Sequence, residues 1–164
     1  MTCLPVGPAQ PVGRRRAPPP KLAVVSEPDV ATTTLDRATA ERFQLLRREL
    51  GVSSFGINLL VLQPRQRGRI HIHERQEEVY LVLEGELTLV IEGRERVIGP
   101  DTVVRVGAAV RRQLVNAGPR RVVILALGGS GEHEGRDGRA WGSWDDGGPG
   151  AAPQEVALPD DLPA

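Results

Sequence analysis

The sequence has little cysteine, few aromatic residues and no excess of either charge. Cys3 is the one cysteine among 164 residues, which excludes an internal disulfide and a cysteine-based zinc site. The 21 basic and 21 acidic residues give a formal net charge of zero, so no overall field draws the protein to nucleic acid or to an acidic membrane. Aromatic residues make up 3% of the chain, which disfavours a pocket for stacking large flat ligands. We therefore expect a small aliphatic or acidic ligand.

The chain also lacks an apolar run long enough to span a bilayer. The cluster Arg14, Arg15 and Arg16 is followed by prolines, where a signal peptide would need its apolar stretch. We expect a cytoplasmic protein with no membrane partner. Three arginines in a proline-rich tail are usually solvated; the alternative is a nucleic-acid or targeting arm.

The length and an apolar content of 40% fit one core of ordinary size. The spacing of Phe43, Leu46 and Leu50 predicts an amphipathic helix from Thr39 to Leu50, which Gly51 would end. The predicted segments are a disordered Pro/Arg-rich arm (1–28), an N-terminal segment with this helix (29–54), a β-barrel (55–128) and a Gly/Pro/acidic tail (129–164). We expect the tail to be irregular, with Trp141 and Trp144 pinning part of it to the barrel.

Short β-rich runs separated by turn residues fill the middle of the chain. The predicted strands are Ile57–Gln63, Arg69–His73, Glu78–Glu84, Glu86–Ile91, Arg94–Ile98, Thr102–Val106, Arg112–Asn116 and Arg121–Leu127. Their short connections imply antiparallel pairing, and about eight such strands fold as a double-sheet jelly roll or barrel. Three of the runs are apolar on both faces, so the outer face should pack on the N-terminal helix or on a second copy of the chain. We therefore expect a homodimer.

A possible metal site lies at the start of this region. His71 and His73 are two apart in a strand-like segment, which places both imidazoles on one face. Glu78 opens the next strand and could return a carboxylate to the same point, whereas the adjacent Glu77 would face the other way. Two nitrogens and one oxygen suit a divalent iron, manganese, nickel or zinc ion and leave positions open for water or substrate. The alternative is that both histidines are polar residues on a half-exposed strand.

The segment from His71 to Gly85 resembles the first motif of the cupin superfamily. That motif has two histidines one residue apart, a glutamate after three or four residues and a glycine after six more; His71, His73, Glu78 and Gly85 occupy these positions. The resemblance covers roughly residues 55–128. It implies an all-β double-stranded β-helix, the jelly-roll barrel of cupins, with one divalent metal ion at the histidines and the glutamate.

The second cupin motif is only partly matched. Counting back from Asn116, Arg112 stands where the family has a third histidine, and Gly107 and Ala109 replace the usual proline and glycine. A guanidinium cannot ligate a metal and stays protonated. At about 4 Å from a divalent ion, it would be repelled by roughly 8 kcal/mol at an effective dielectric constant of 20. Arg112 could point away, pair with Glu78 in a metal-free site, or bind an anionic ligand beside the metal.

Several functions therefore remain open. The first is a metal-binding cupin, which either acts as an enzyme on a small oxygenated substrate or binds metal without catalysis. The second is a cupin that binds a small anion or sugar-like ligand through Arg112 and Tyr80 without metal. The third is a dimeric scaffold with a vestigial pocket. His133 could fold back as a substitute ligand or be a solvated loop histidine. No helix-turn-helix pattern precedes the barrel, which argues against a cupin-type transcription factor.

Overall fold

The computed structural model of the chain describes residues 29–129 and 137–163. The elements described below all lie within residues 31–164. They are β1 (Phe43–Gln44), α1 (Leu46–Leu50), β2 (Gly56–Leu62), β3 (Ile70–His73), β4 (Glu77–Glu84), β5 (Leu87–Ile91), β6 (Arg94–Ile98), β7 (Val103–Val106), β8 (Arg112–Val115), β9 (Val122–Gly129), β10 (Gly138–Trp141) and a 3-10 helix (Pro153–Glu155). The predicted arm lies outside the described residues.

The strands form two antiparallel sheets of five strands each. One sheet has the order β1-β2-β9-β4-β7 and the other β10-β3-β8-β5-β6. Strands that follow one another in the chain repeatedly change sheet, as in a jelly roll. The predicted all-β double-sheet fold with one short N-terminal helix is confirmed.

Tight turns at predicted glycines connect the strands. Gly85 follows β4 with φ of 75°, and a Cβ atom there would clash with the backbone carbonyl of Arg121. Glu92 and Gly93 both have positive φ and close the hairpin between β5 and β6, as a two-residue hairpin turn requires. These local signals explain why the eight predicted strands agree with β2–β9 to within two residues at each end.

The apolar side chains form two clusters, one on each face of the β2–β9 pair. Alternate residues of these strands point into the barrel, where both sheets contribute to one core: Leu60, Leu62, Tyr80, Val82, Leu87, Leu89, Val106, Leu114, Val122, Ile124 and Ala126. The intervening residues Leu59, Val61 and Val123 point outward and are covered by Leu46 of α1. The outer face of this pair is therefore packed on the N-terminal segment of the same chain.

The predicted helix from Thr39 to Leu50 is too long. Only Leu46–Leu50 are helical, and Gly51 ends them in the left-handed conformation, as expected. Phe43 and Gln44 form β1, which pairs with the free edge of β2. A lone helix of twelve residues is only marginally stable, so hydrogen bonding to an available sheet edge outweighs the helical spacing.

The expectation of a wholly irregular tail is also wrong. Residues 138–141 form β10, which pairs antiparallel with β3 and covers its second edge. The expected pinning by tryptophan is confirmed: the Arg111 guanidinium lies 4.5 Å from the Trp141 ring and 5.4 Å from the Trp144 ring. The C-terminal part thus supplies a strand to the sheet that carries the histidines.

The helices in the described ranges are too short to cross a membrane.

Candidate functional site

Strand β3 carries His71 and His73 at alternate positions, so both side chains leave one face of the strand. In the adjoining strands, His71 lies opposite Arg112 of β8 and Ala140 of β10, while His73 lies opposite Gly138 of β10. The histidines therefore sit on a central strand of the sheet, which gives their backbone a firm support.

Glu78 reaches the same region from the facing sheet. Glu78 lies on the same face of β4 as Tyr80 and Val82, which belong to the interior core, and so its carboxylate also points inward. Glu77 faces outward and pairs with Arg105 on the neighbouring strand β7. The geometry agrees with the prediction that Glu78, not Glu77, is the inward acid.

The three predicted ligand atoms lie close together. One nitrogen of each histidine and one oxygen of Glu78 are within 4.8 Å of one another. Glu78 Oε2 is 3.3 Å from His73 Nε2 and 3.9 Å from His71 Nε2. Ligands about 2.1 Å from a metal ion stand roughly 3 to 3.5 Å apart, so only small side-chain movements separate this arrangement from a coordination site.

A hydrogen bond determines which nitrogen of His71 faces Glu78. His71 Nδ1 lies 3.0 Å from the backbone carbonyl oxygen of Arg69. Because a carbonyl only accepts hydrogen bonds, Nδ1 donates to it, and Nε2 is the nitrogen that faces the Glu78 carboxylate. A proton or a metal cation can occupy the space between Nε2 and the carboxylate. A backbone carbonyl at the second nitrogen is also the usual support of a metal-binding histidine.

Arg112 does not point away from the site. Its side chain is 0% exposed; Nη2 donates to Glu78 Oε2 at 2.9 Å and Nη1 donates to the Val110 carbonyl at 3.1 Å. The hydroxyl of Tyr80, which is also buried, donates to the same Glu78 oxygen. Arg112 and Tyr80 therefore hold Glu78 from inside the barrel, and their direct contact with a ligand stays a prediction.

The surroundings of Glu78 favour its ionised form. Burial raises the pKa of this carboxyl, but the hydrogen bonds with His71 and His73 and the charge of Arg112 outweigh burial and hold the pKa well below its ordinary value. Burial and the neighbouring charge of Glu78 raise the pKa of Tyr80 well above its ordinary value. The centre therefore contains a carboxylate anion, a neutral phenol and a buried guanidinium.

An open cleft of about 800 Å³ leads to Glu78 and His73. Its lining includes Arg47 and Arg48 of α1 and Asp137, the residue before β10. Its size suits a small-molecule ligand. No sequence pattern predicts these three lining residues as part of a site.

Asp137 supports the connection between the two strands that carry the site. Its side chain is 1% exposed and accepts hydrogen bonds from the backbone N–H groups of Arg75 and Gln76, at 3.0 and 2.7 Å. Burial raises the Asp137 pKa, but these backbone hydrogen bonds outweigh it and lower the pKa. No local pattern marks this role, because the aspartate lies 61 residues from Gln76.

His133, considered above as a substitute ligand, lies outside the described residues.

Comparisons with known proteins identify the type of barrel. Residues 58–128 match the family described as the cupin domain. A putative sugar phosphate isomerase from Acidithiobacillus ferrooxidans is 27% identical with a TM-score of 0.52, over 58% of this chain and 60% of that one. The chain thus spans less than two thirds of that protein. A comparison with curated proteins found no match.

Two further solved structures support the fold. A sugar phosphate isomerase from a cupin superfamily, from Silicibacter pomeroyi, is 24% identical with a TM-score of 0.55, over 70% of this chain and 76% of that one. A cupin protein from Bacteroides fragilis is 18% identical with a TM-score of 0.55, over 65% and 89%. At these identities, the likeness concerns the barrel itself.

Proposed function

We propose that the cupin domain of this chain, residues 58–128, holds one divalent metal ion at His71, His73 and Glu78. The observation that carries the proposal is the convergence of three ligand atoms from two facing sheets within 4.8 Å. Two imidazole nitrogens with one carboxylate oxygen suit iron(II), manganese, nickel or zinc. His71 turns Nε2 toward Glu78 while its Nδ1 is held by the Arg69 carbonyl, and this orientation supports a cation at this point.

Arg112 is compatible with such a site because a carboxylate accepts several hydrogen bonds. Glu78 Oε2 accepts from both Arg112 and Tyr80, and a carboxylate has about four lone-pair positions, so Glu78 can still offer one to a metal ion. Arg112 is a neighbour of the metal in this proposal, and its charge adds to that of the ion. The site therefore favours a substrate with an anionic group over a neutral one.

The proposed substrate is a small phosphorylated sugar. The 27% identity with the putative sugar phosphate isomerase supports this class, and the cleft of about 800 Å³ is large enough for it. When bound, a divalent metal polarises an oxygen of the ligand as a Lewis acid. Arg112 and Tyr80 would hold Glu78 in place beside the substrate, and the barrel core would keep bulk water from that side.

The test is elemental analysis of the full chain, purified without chelator or histidine tag. We expect near-stoichiometric metal in the wild type, loss of metal in the double variant His71→Ala, His73→Ala, and strong reduction in Glu78→Gln. Glu77→Gln is the matched control, because this neighbour faces outward, and it should retain the metal. Wild-type protein that stays metal-free after reconstitution with each of the four metals would refute the proposal.

A second candidate is a metal-free pocket that binds a small anion or sugar. The specific observation in its favour is the 2.9 Å contact between buried Arg112 and Glu78, which already balances the carboxylate charge. Under this alternative, Arg112→Ala weakens ligand binding. The wild type and the double histidine variant both contain no metal. Calorimetric titration of both variants with glucose 6-phosphate distinguishes the two candidates.

A further inference from the structure

The cleft above Glu78 and His73 has one basic wall. Arg47 and Arg48, neighbours in the short helix α1, both line it. The helix is fixed to the barrel by Leu46, which is 2% exposed and packs on the outer face of β2 and β9. Two guanidinium groups are therefore carried by a backbone that the core holds in place.

The charges of the two arginines are not paired with acidic groups in the part of the chain that the structure describes. Within residues 29–129 and 137–163, neither Arg47 nor Arg48 has a carboxylate within ion-pair distance. Arg47 Nη2 reaches only the Ser53 carbonyl, at 3.4 Å, and its Nε is buried with no hydrogen-bond acceptor in the described structure. Donors of both guanidinium groups are therefore left for an acceptor from a ligand in the cleft.

Acidic residues also line the cleft. They are Glu78 and Asp137, which belong to β4 and to the residue before β10, not to α1. An anionic group is attracted by the two arginines, whereas carboxylate oxygens accept hydrogen bonds from hydroxyl groups. A ligand with one anionic end and one hydroxyl-bearing end therefore has a preferred orientation in the cleft.

We propose that Arg47 and Arg48 bind the phosphate group of a sugar phosphate, with the hydroxyl-bearing end directed to His73 and Glu78. This assignment rests on the proposed function of that site and identifies residues that determine its substrate class. Guanidinium groups pair with phosphate oxygens through parallel, charge-assisted hydrogen bonds, and two of them match a doubly charged monoester.

The experiment is calorimetric titration of the full chain with glucose 6-phosphate, glucose and glucuronate. We expect glucose 6-phosphate to bind at least tenfold more tightly than either other sugar. The double variant Arg47→Gln, Arg48→Gln should lose at least tenfold in affinity for glucose 6-phosphate and leave the affinity for glucose unchanged. Arg96→Gln is the matched control, because Arg96 is exposed on β6 and does not line the cleft.

Three results would overturn the assignment: no binding of glucose 6-phosphate, unchanged affinity in the double arginine variant, or glucuronate that binds as tightly as glucose 6-phosphate. The last result would mean that Arg47 and Arg48 bind carboxylate groups as well as they bind phosphate groups. Thermal unfolding of each variant shows whether it folds, and the single variants Arg47→Gln and Arg48→Gln replace the double variant if it does not.

The same protein samples separate this assignment from the proposed metal site. The arginine variants should contain as much metal as the wild type, since neither residue is a proposed ligand. If the wild type contains no metal and the arginine variants still lose glucose 6-phosphate, the metal site fails and the phosphate assignment stands. If metal is present and the arginine variants bind as before, the phosphate assignment alone fails.

Discussion

Glu78 is the residue on which the centre of the barrel depends. One of its oxygens accepts hydrogen bonds from Tyr80 and Arg112 and lies 3.3 Å from His73. Burying an ionised carboxylate is costly unless it is paired and hydrogen-bonded, and these neighbours supply both forms of compensation. The same neighbours decide how strongly Glu78 can serve as a metal ligand.

Replacing Arg112 by histidine should strengthen metal binding. The variant Arg112→His removes a positive charge from beside Glu78 and places an imidazole where it can provide a third nitrogen. We expect the Kd for Zn²⁺ to fall about tenfold or more, measured by competition with a chromogenic chelator.

Arg111→His is the matched control for this variant. Arg111 lies one position away and stacks on Trp141, outside the centre, so its replacement should leave the Kd for Zn²⁺ unchanged. An unchanged or higher Kd in Arg112→His would contradict the view that Arg112 opposes the ion.

At the level of elements, β10 and the residue before it organise the site. β10 covers the edge of β3, which carries the histidines, and Asp137 accepts hydrogen bonds from the connection between β3 and β4. The C-terminal segment therefore positions the histidines and Glu78 without contributing a proposed ligand. We therefore expect a substitution in this segment to lower the free energy of unfolding more than it weakens metal binding.

The variant Asp137→Asn should lower the free energy of unfolding at pH 7 by about 1 to 3 kcal/mol, because a neutral amide replaces a buried carboxylate that accepts two backbone hydrogen bonds. The Asp137 pKa is lowered on folding, so its stabilisation is fully present above the unfolded aspartate pKa of about 3.9. It is lost as the pH falls through the folded pKa.

Urea denaturation at a series of pH values measures this effect. The difference between wild type and Asp137→Asn should shrink as the pH falls below about 4. Asp145→Asn, at an exposed position, is the control and should change stability by no more than about 0.5 kcal/mol at any pH. A gap that stays constant down to pH 2 would show that the Asp137 charge does not stabilise the fold.

For the molecule as a whole, the outer apolar surface is relevant to whether two copies of the chain form a dimer. The apolar outer face of the strands is one reason to expect a homodimer. On β2 and β9, however, α1 of the same chain covers that face. Exposed apolar residues remain on the edge strands of both sheets, at Val97 of β6 and Val103 of β7. Exposed edge strands are common sites of pairing between copies.

The homodimer thus remains a prediction, and light scattering tests it directly. We expect a solution mass twice that of one chain, constant over a hundredfold range of concentration. A mass equal to one chain throughout that range would exclude the homodimer and leave Val97 and Val103 as ordinary exposed residues.

The barrel strands and the candidate ligands could be predicted because their signals are local. Alternation of apolar residues and turn glycines such as Gly85 specify each strand within a few neighbours. His71, His73 and Glu78 lie within eight consecutive residues, so their spacing could be compared with a known motif before any folding was considered.

The remaining features depend on residues that are far apart in the chain. β1 and β10 form because strand edges need hydrogen-bond partners, and neither segment carries the alternation of an independent strand. Three further features also depend on residues that are far apart in the chain. They are the arginine wall of the cleft, the role of Asp137 and the inward orientation of Arg112. Their roles follow from packing and from pairing of buried charge, which exist only once the two sheets face each other.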